Sequence, residues 1–255
     1  MKSGRVYFLV FMGLSYCCFA QVSVKDSAVN ASLVPIGYSY NWPGGDMVKR
    51  FGDNSLVGGG YWFKSKKNWI IGFTGNYIFG GDVKENNVLD GLMTENGFII
   101  GEQGEPAVTD MFERGWMFVA SVGKVISSVG ASGFKLGPNP NSGLFMLFGA
   151  GTLQHKIRIE SDAFQLNKEF TRGYDRLSSG PCITQFLGYM HLSNNRLVNF
   201  YCGIESVQAW TKNRRGFNYD TMQNDNESRM DIFSGVRIGW ILPLYKKVPD
   251  EFYYL

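Results

Sequence analysis

The 255-residue chain carries 25 Lys and Arg against 22 Asp and Glu, together with 20 Phe, 13 Tyr, 6 Trp and 32 Gly. This near balance lacks the concentrated basic footprint of nucleic-acid binding, so no nucleic acid is expected as a partner. No stretch after residue 20 approaches the roughly 18 consecutive apolar residues that a membrane helix requires, and the aromatic and glycine content suits strands and tight turns.

From the start of the chain, residues 1–20 have the layout of a secretory signal. Lys2 and Arg5 form a basic start, Val6 to Leu14 an apolar stretch, and Cys18-Phe19-Ala20 a cleavage site before Gln21. Cleavage removes two bases and no acids, leaving 23 against 22. Lipidation needs a small residue before the modified cysteine, whereas Cys17 follows Tyr16 and Cys18 follows another cysteine. The expected organisation continues with a short periplasmic segment at 21–32, a barrel at 33–245 and a periplasmic tail at 246–255.

Eight runs of about ten to fifteen residues then alternate with period two: 33–42, 56–65, 69–79, 114–126, 143–157, 180–192, 196–210 and 230–245. In the third, Trp69, Ile71, Phe73, Tyr77 and Phe79 share a face with Gly75, opposite Gly72, Thr74 and Asn76. In the seventh, Val198, Phe200, Cys202 and Ile204 alternate with Asn199, Tyr201, Gly203 and Glu205. The eighth sets Ile232, Val236, Ile238, Trp240, Leu242 and Leu244 against Asp231, Gly235, Arg237 and Gly239. Such strands separate lipid from a polar interior, and parity puts Glu205 and Arg237 inside on neighbouring strands. Opposite charges compensate one another there, so a lumen network of Glu205, Arg237, Asn199 and Asn76 is expected. The fourth and fifth runs are less clean, since Met117, Val119, Met146 and Phe148 fall on the expected lumen side. Elsewhere glycine and polar groups leave too little on that face to pack a core. This separates the pattern from the alternative, a soluble β-sandwich or lipocalin-like barrel.

The connections alternate between short and long, as in membrane barrels with periplasmic turns and longer external loops. Residues 66–68 and 193–195 are minimal turns, 43–55, 80–113, 158–179 and 211–229 are long, and 127–142 breaks the rule. An even strand number sends all four long loops outward. Trp42, Trp116 and Trp210 then fall at the outer rim and Trp69 at the inner one, as an aromatic girdle requires. A turn centred on Asn194 sets Cys182 opposite Ser206 and leaves Cys202 four residues, roughly 13 Å, out of register for a disulfide. The fold class is therefore read as all-β: a closed antiparallel up-and-down transmembrane β-barrel of about eight strands, with long extracellular loops, in a bacterial outer membrane.

The segment ending at Ala20 before Gln21, the opening strand Ile36-Gly37-Tyr38-Ser39-Tyr40 and the closing run Arg237-Ile238-Gly239-Trp240-Ile241-Leu242-Pro243-Leu244 resemble the small outer-membrane β-barrel superfamily. The closing run is similar to the terminal signal read by barrel-assembly machinery, although Pro243 and residues 246–255 depart from a barrel that ends at an aromatic residue. The style, including Gln21, resembles barrels of the Bacteroidota. Similar small barrels of that group include accessory parts of outer-membrane assembly and type IX secretion machines, so the resemblance implies protein partners.

Catalytic and metal chemistry find little support. His155 nears the outer end of the fifth run, with Ser161, Asp162 or Asp175 as candidate companions, while His191 falls to the inner rim. No spacing fixes a triad, and a polar rim histidine is the simpler reading. Two histidines at opposite rims cannot share one metal, so neither cofactor nor metal is expected. The second loop holds Asp82, Glu85, Asp90, Glu95, Glu102, Glu105, Asp110 and Glu113 against Lys84 alone. These acids match no calcium-loop spacing and read as a hydrated acidic external loop. Val88, Leu89, Leu92, Met93 and residues 98–100 suggest that part of it folds back or meets a partner. In the fourth loop Lys212, Arg214 and Arg215 suit lipid phosphates, although Asp220, Asp225 and Glu227 follow.

Three functions stay open. One is a non-enzymatic structural or protein-interaction role through the external loops, including an accessory subunit of an outer-membrane assembly or secretion machine. The others are a narrow channel or transporter for a small molecule and a lipid A-modifying enzyme using His155. Outer-membrane lipids, lipopolysaccharide and protein partners in an outer-membrane complex are the expected contacts.

Overall fold

The computed structural model describes residues 24, 26–129, 134–163, 165–167, 169–194 and 197–244. The signal-like stretch 1–20, the tail 246–255, Asn195 of the expected turn, and Arg196 and Tyr245 at the ends of the seventh and eighth runs lie outside them. Eight strands close into one antiparallel barrel: β1 Ala31–Gly45, β2 Asn54–Lys64, β3 Trp69–Gly80, β4 Thr109–Ile126, β5 Gly143–Ser161, β6 Ser178–His191, β7 Phe200–Asn213 and β8 Ser228–Pro243. Each pairs with the next in chain order, and β8 returns to β1 from Leu33↔Pro243 to Gly45↔Asp231, so the barrel has no open edge. The all-β, up-and-down, eight-strand expectation holds. The four long connections emerge at one end, here the loop end, and the three others lie at the turn end. No helix among the described residues is long and apolar enough to cross a membrane.

Pairing fixes which side chains share a face. Asn76, Met117 and Leu153 are cross-strand neighbours pointing inward, and Tyr77, Trp116 and Gln154 are the adjacent outward row. Outward positions carry Ile71, Phe73, Phe118, Phe148, Ile204 and Ile238, all exposed. So contiguous an apolar exterior exceeds the scattered patches of a soluble monomer. Met117 and Val119 are buried inside, but Met146 and Phe148 are not. Gly149 pairs with Ser121 and Gly151 with Val119, which puts the odd-numbered residues of β5 in the lumen and turns Met146 and Phe148 outward.

Nor is the lumen short of packing material. Toward the loop end Leu56, Ile78, Leu153, Val207 and Phe233 meet Met47, Phe51, Val88, Leu89 and Ile99 from the loops. Toward the turn end the rings of Trp62, Phe145, Phe186 and Tyr201 make contacts with centres 5.2 to 6.5 Å apart, beside Leu33, Ile70 and Ile241. The glycines belong to the same arrangement. A Cβ at Gly239 would stand 2.2 Å from the Tyr201 ring, so the wall thins where the ring swings in. The cavity left among these rings and Arg237 is about 20 Å³, room for about one water.

At the turn end the 127–142 connection forms a small hairpin, Ser128–Val129 with Phe134–Lys135, then folds back into the mouth. Asn141 is its anchor. Its Oδ1 accepts from Val29 N–H at 3.0 Å and Lys64 Nζ at 2.7 Å, and its Nδ2 donates to Val24 O and Ser27 O at 2.8 Å. Val24 and Val29 are thereby held inside the opening, packed among the turn-end rings. The β6–β7 connection is longer than a minimal turn, because β7 starts at Phe200. The register accordingly pairs Cys182 with Ala209 and Gln185 with Ser206. Cys202 stands seven residues along, about 23 Å away, and both thiols are free.

Candidate functional site

The polar middle of the lumen is built from three strands. Arg237 of β8 donates through Nη1 to Glu205 of β7 at 2.8 and 2.9 Å, and through Nη2 to Asn76 Oδ1 of β3 at 2.7 Å. Its Nε lies 3.3 Å from the Tyr201 hydroxyl. Arg237 is 6% exposed, and these contacts surround its guanidinium with acceptors, as a buried charge requires. Asn199 does not join them; its Oδ1 takes the Ser193 N–H at 2.7 Å at the turn end.

A second polar layer lies nearer the loop end. His155 Nε2 contacts Asp231 Oδ2 at 2.9 Å, and Thr211 Oγ1 donates to the same oxygen at 2.5 Å. His155 is therefore no rim group. It is fully buried, because Phe51 of the first loop folds over it with ring centres 5.4 Å apart. None of the companions expected from sequence reaches it: Ser161 bonds Thr109, and Asp175 is held by Arg215 at 2.9 and 2.5 Å. Glu113, expected in the acidic loop, sits on β4 with Asn54 Nδ2 at 3.2 Å. Arg50 reaches down from the first loop to Ser178 Oγ at 3.0 Å and Arg176 O at 3.1 Å. These partners stand up to 128 residues apart, and no spacing rule joins them.

The four loops form a folded cap. Glu85 is one of its internal struts, pairing with Arg176 at 2.6 Å and lying 3.7 Å from Arg50, and Arg176 also bonds Asp220. Asp82, Asp90, Glu95, Glu102 and Glu105 remain exposed. Val88, Leu89 and Ile99 fold back into the core, whereas Met93, Ile100 and Val108 stay on the surface, Val108 at 68%. Trp42, Trp69, Trp116 and Trp210 all project outward from the wall, joined by Trp240. His191 lies against Phe200 at 5.4 Å, toward the turn end. Among the described residues, no group of three His, Cys, Asp or Glu is placed to hold a metal.

Neither a family model nor a curated protein matches the chain. Solved structures do. Crystal structures of Ail, the attachment invasion locus protein of Yersinia pestis, are similar to it. One is 13% identical with a TM-score of 0.39, covering 84% of this chain and 99% of Ail. Another, Ail in complex with the heparin analogue sucrose octasulfate, is 14% identical with a TM-score of 0.34, covering 82% and 99%. The chain's own closed register, rather than this likeness, carries the fold.

Proposed function

We propose that the chain is an integral outer-membrane barrel acting as a sealed, non-enzymatic anchor that presents a folded loop cap to protein partners. The observation that carries this reading is an apolar outward face around a filled lumen. Apolar surface in water costs about 25 cal/mol per Å², and a closed ring of backbone bonds is one of the two structures that satisfy every amide inside hydrocarbon. In that setting the loop end faces outward, and Trp42, Trp69, Trp116 and Trp210 serve as girdle anchors. Glu205, Arg237 and Asn76 then act as an internal brace. Exposed Met93, Ile100 and Val108 beside Asp90, Glu95, Glu102 and Glu105 form the cap face that meets a partner, with an accessory place in an assembly or secretion machine as the favoured setting.

Extraction from native membranes in mild detergent, followed by cross-linking and mass spectrometry, tests the partner. A stoichiometric protein attached through residues 81–108 is expected, and a lone monomer refutes the role. The side chains filling the lumen, with a cavity of about 20 Å³ beside Arg237, weigh against a channel, so planar bilayers should stay silent. Burial of His155 weighs against lipid chemistry, so His155→Ala should leave lipid A masses unchanged.

A further inference from the structure

The outward face of the two longest strands changes character toward the loop end. Along β5 it runs Leu144, Met146, Phe148, Ala150, Thr152 and then Gln154, Lys156, Arg158, Glu160. Along β4 it runs Val122, Ala120, Phe118, Trp116 and then Arg114. Pairing sets Arg114 directly opposite Lys156, just above Trp116 opposite Gln154, and Arg158 follows on the same side. Like charges facing each other across a strand pair repel, so this arrangement gains from an anion beyond Asp175, which reaches Lys156 but is shared with Arg215.

An open basin of about 840 Å³ surrounds these cations, with Arg172 of the third loop and Arg215 of the fourth in its wall. Its lower edge is aromatic: Tyr77 and Trp116 are 4.8 Å apart, and Trp116 lies parallel to Phe118 below it. Five cations share the basin with two carboxylates, both already engaged. Asp175 holds Arg215 at 2.5 Å with Lys156 at 3.7 Å, and Glu160 holds Arg158 at 2.8 Å. The hydrogen bond that Arg215 donates to Asp175, foremost, and the Asp175 charge raise the Arg215 pKa above its ordinary value, burial opposing. Arg114 is pinned by Glu113 O at 2.7 Å and Gly80 O at 3.3 Å over the Phe112 ring. Arg114, Arg158 and Arg215 thus each have a partner before any ligand arrives, and planar guanidinium forks match phosphate oxygens.

We infer that this basin binds the phosphorylated headgroup of an outer-leaflet glycolipid, its phosphates between Arg114, Lys156 and Arg158 and its acyl chains running past Trp116 and Phe118. The continuity of cationic wall with apolar band selects a lipid over a soluble anion. The inference rests on the membrane placement proposed above and assigns a ligand to the wall rather than the cap.

The test uses the full chain offered to lipid vesicles and scored first for flotation. Native mass spectrometry then measures retention of bisphosphorylated lipid A, dephosphorylated lipid A, and bisphosphorylated lipid A challenged with pyrophosphate. Preferential retention of the phosphorylated lipid is expected, with at least about a tenfold loss in Lys156→Gln/Arg158→Gln and little change in Lys212→Gln/Arg214→Gln, whose side chains are outside the basin. Equal retention of both lipids by a floating barrel, or equal loss in both variant pairs, overturns the site alone. Displacement by equimolar pyrophosphate overturns the lipid assignment. A chain that does not float overturns the membrane placement and this site with it.

Discussion

Replacing Asn141 with Ala removes four hydrogen bonds in one step, and all four run to residues that close the turn-end mouth or to the buried Lys64. The three neutral bonds contribute about 1 kcal/mol each, and the one from the Lys64 ammonium about 2 kcal/mol, since bonds to charged groups are stronger. Lys64 keeps only the longer contact to Val29 O at 3.3 Å. The three bonds to Val24, Ser27 and Val29, about 3 kcal/mol together, are lost from the local closing of the stretch before β1 and not from the barrel ladder, whereas the Lys64 bond joins β2 to the 127–142 connection. Opening of residues 26–30 should therefore become about a hundredfold easier. Hydrogen exchange read by mass spectrometry on detergent-solubilised Asn141→Ala is the assay, with peptides from β3 and β4 as internal controls. Exchange in 26–30 that stays within about tenfold of the parent, with the controls unchanged, refutes the anchoring role assigned to Asn141.

Glu205→Ala leaves the Arg237 guanidinium buried against Asn76 and Tyr201 without its carboxylate, a change that costs about 3–5 kcal/mol. Urea unfolding from lipid vesicles should show this, and Glu205→Ala/Arg237→Met should recover much of it. Gly239→Ala drives a methyl group into the Tyr201 ring and should destabilise the barrel by about 1–3 kcal/mol; pairing it with Tyr201→Leu should reduce the loss, and an unaffected single variant refutes the fit. In the fourth loop, burial pushes the Asp225 pKa up, but bonds from Arg229 and Asn213, the Arg229 charge and a bond from Asn218 leave it below 3.8. A depressed carboxylate contributes stability above its unfolded pKa and loses it as pH falls through the folded value. Exchange protection of residues 214–227 should therefore hold at pH 5 and decline progressively as pH falls below about 4, and Asp225→Asn should abolish that dependence.

Strand number, order and most faces were legible because a wall one residue thick writes its two environments alternately into the chain. Parity brings Glu205, Arg237 and Asn76 to the lumen side, but nothing in the spacing selects Asn76, 161 residues from Arg237, over Asn199 as the partner that reaches it. Strand β5 misled for a physical reason. Phe145 and Leu147 point inward and Met146 and Phe148 outward, so both faces are apolar and only the pairing of Gly149 with Ser121 decides. The lumen looked underfilled because its glycines are visible in sequence, while the Trp62, Phe186 and Tyr201 rings they accommodate come from other strands. The irregular length of residues 127–142 was the one available sign of the mouth closure. His155 with Asp231 carried none, since its burial depends on Phe51 folding over it.

The seam between β1 and β8 has a kinetic consequence. Leu33 and Pro243 lie about 200 residues apart in the chain, and non-local pairing of this kind must meet its loop-closure entropy before any contact rewards it. Until β8 is in place, β1 presents an unpaired row of amides and carbonyls, a template for joining the wrong chain. Ring closure is thus the late and vulnerable event of biogenesis, and a catalyst that shelters β1 while the last strand is delivered would act at this seam.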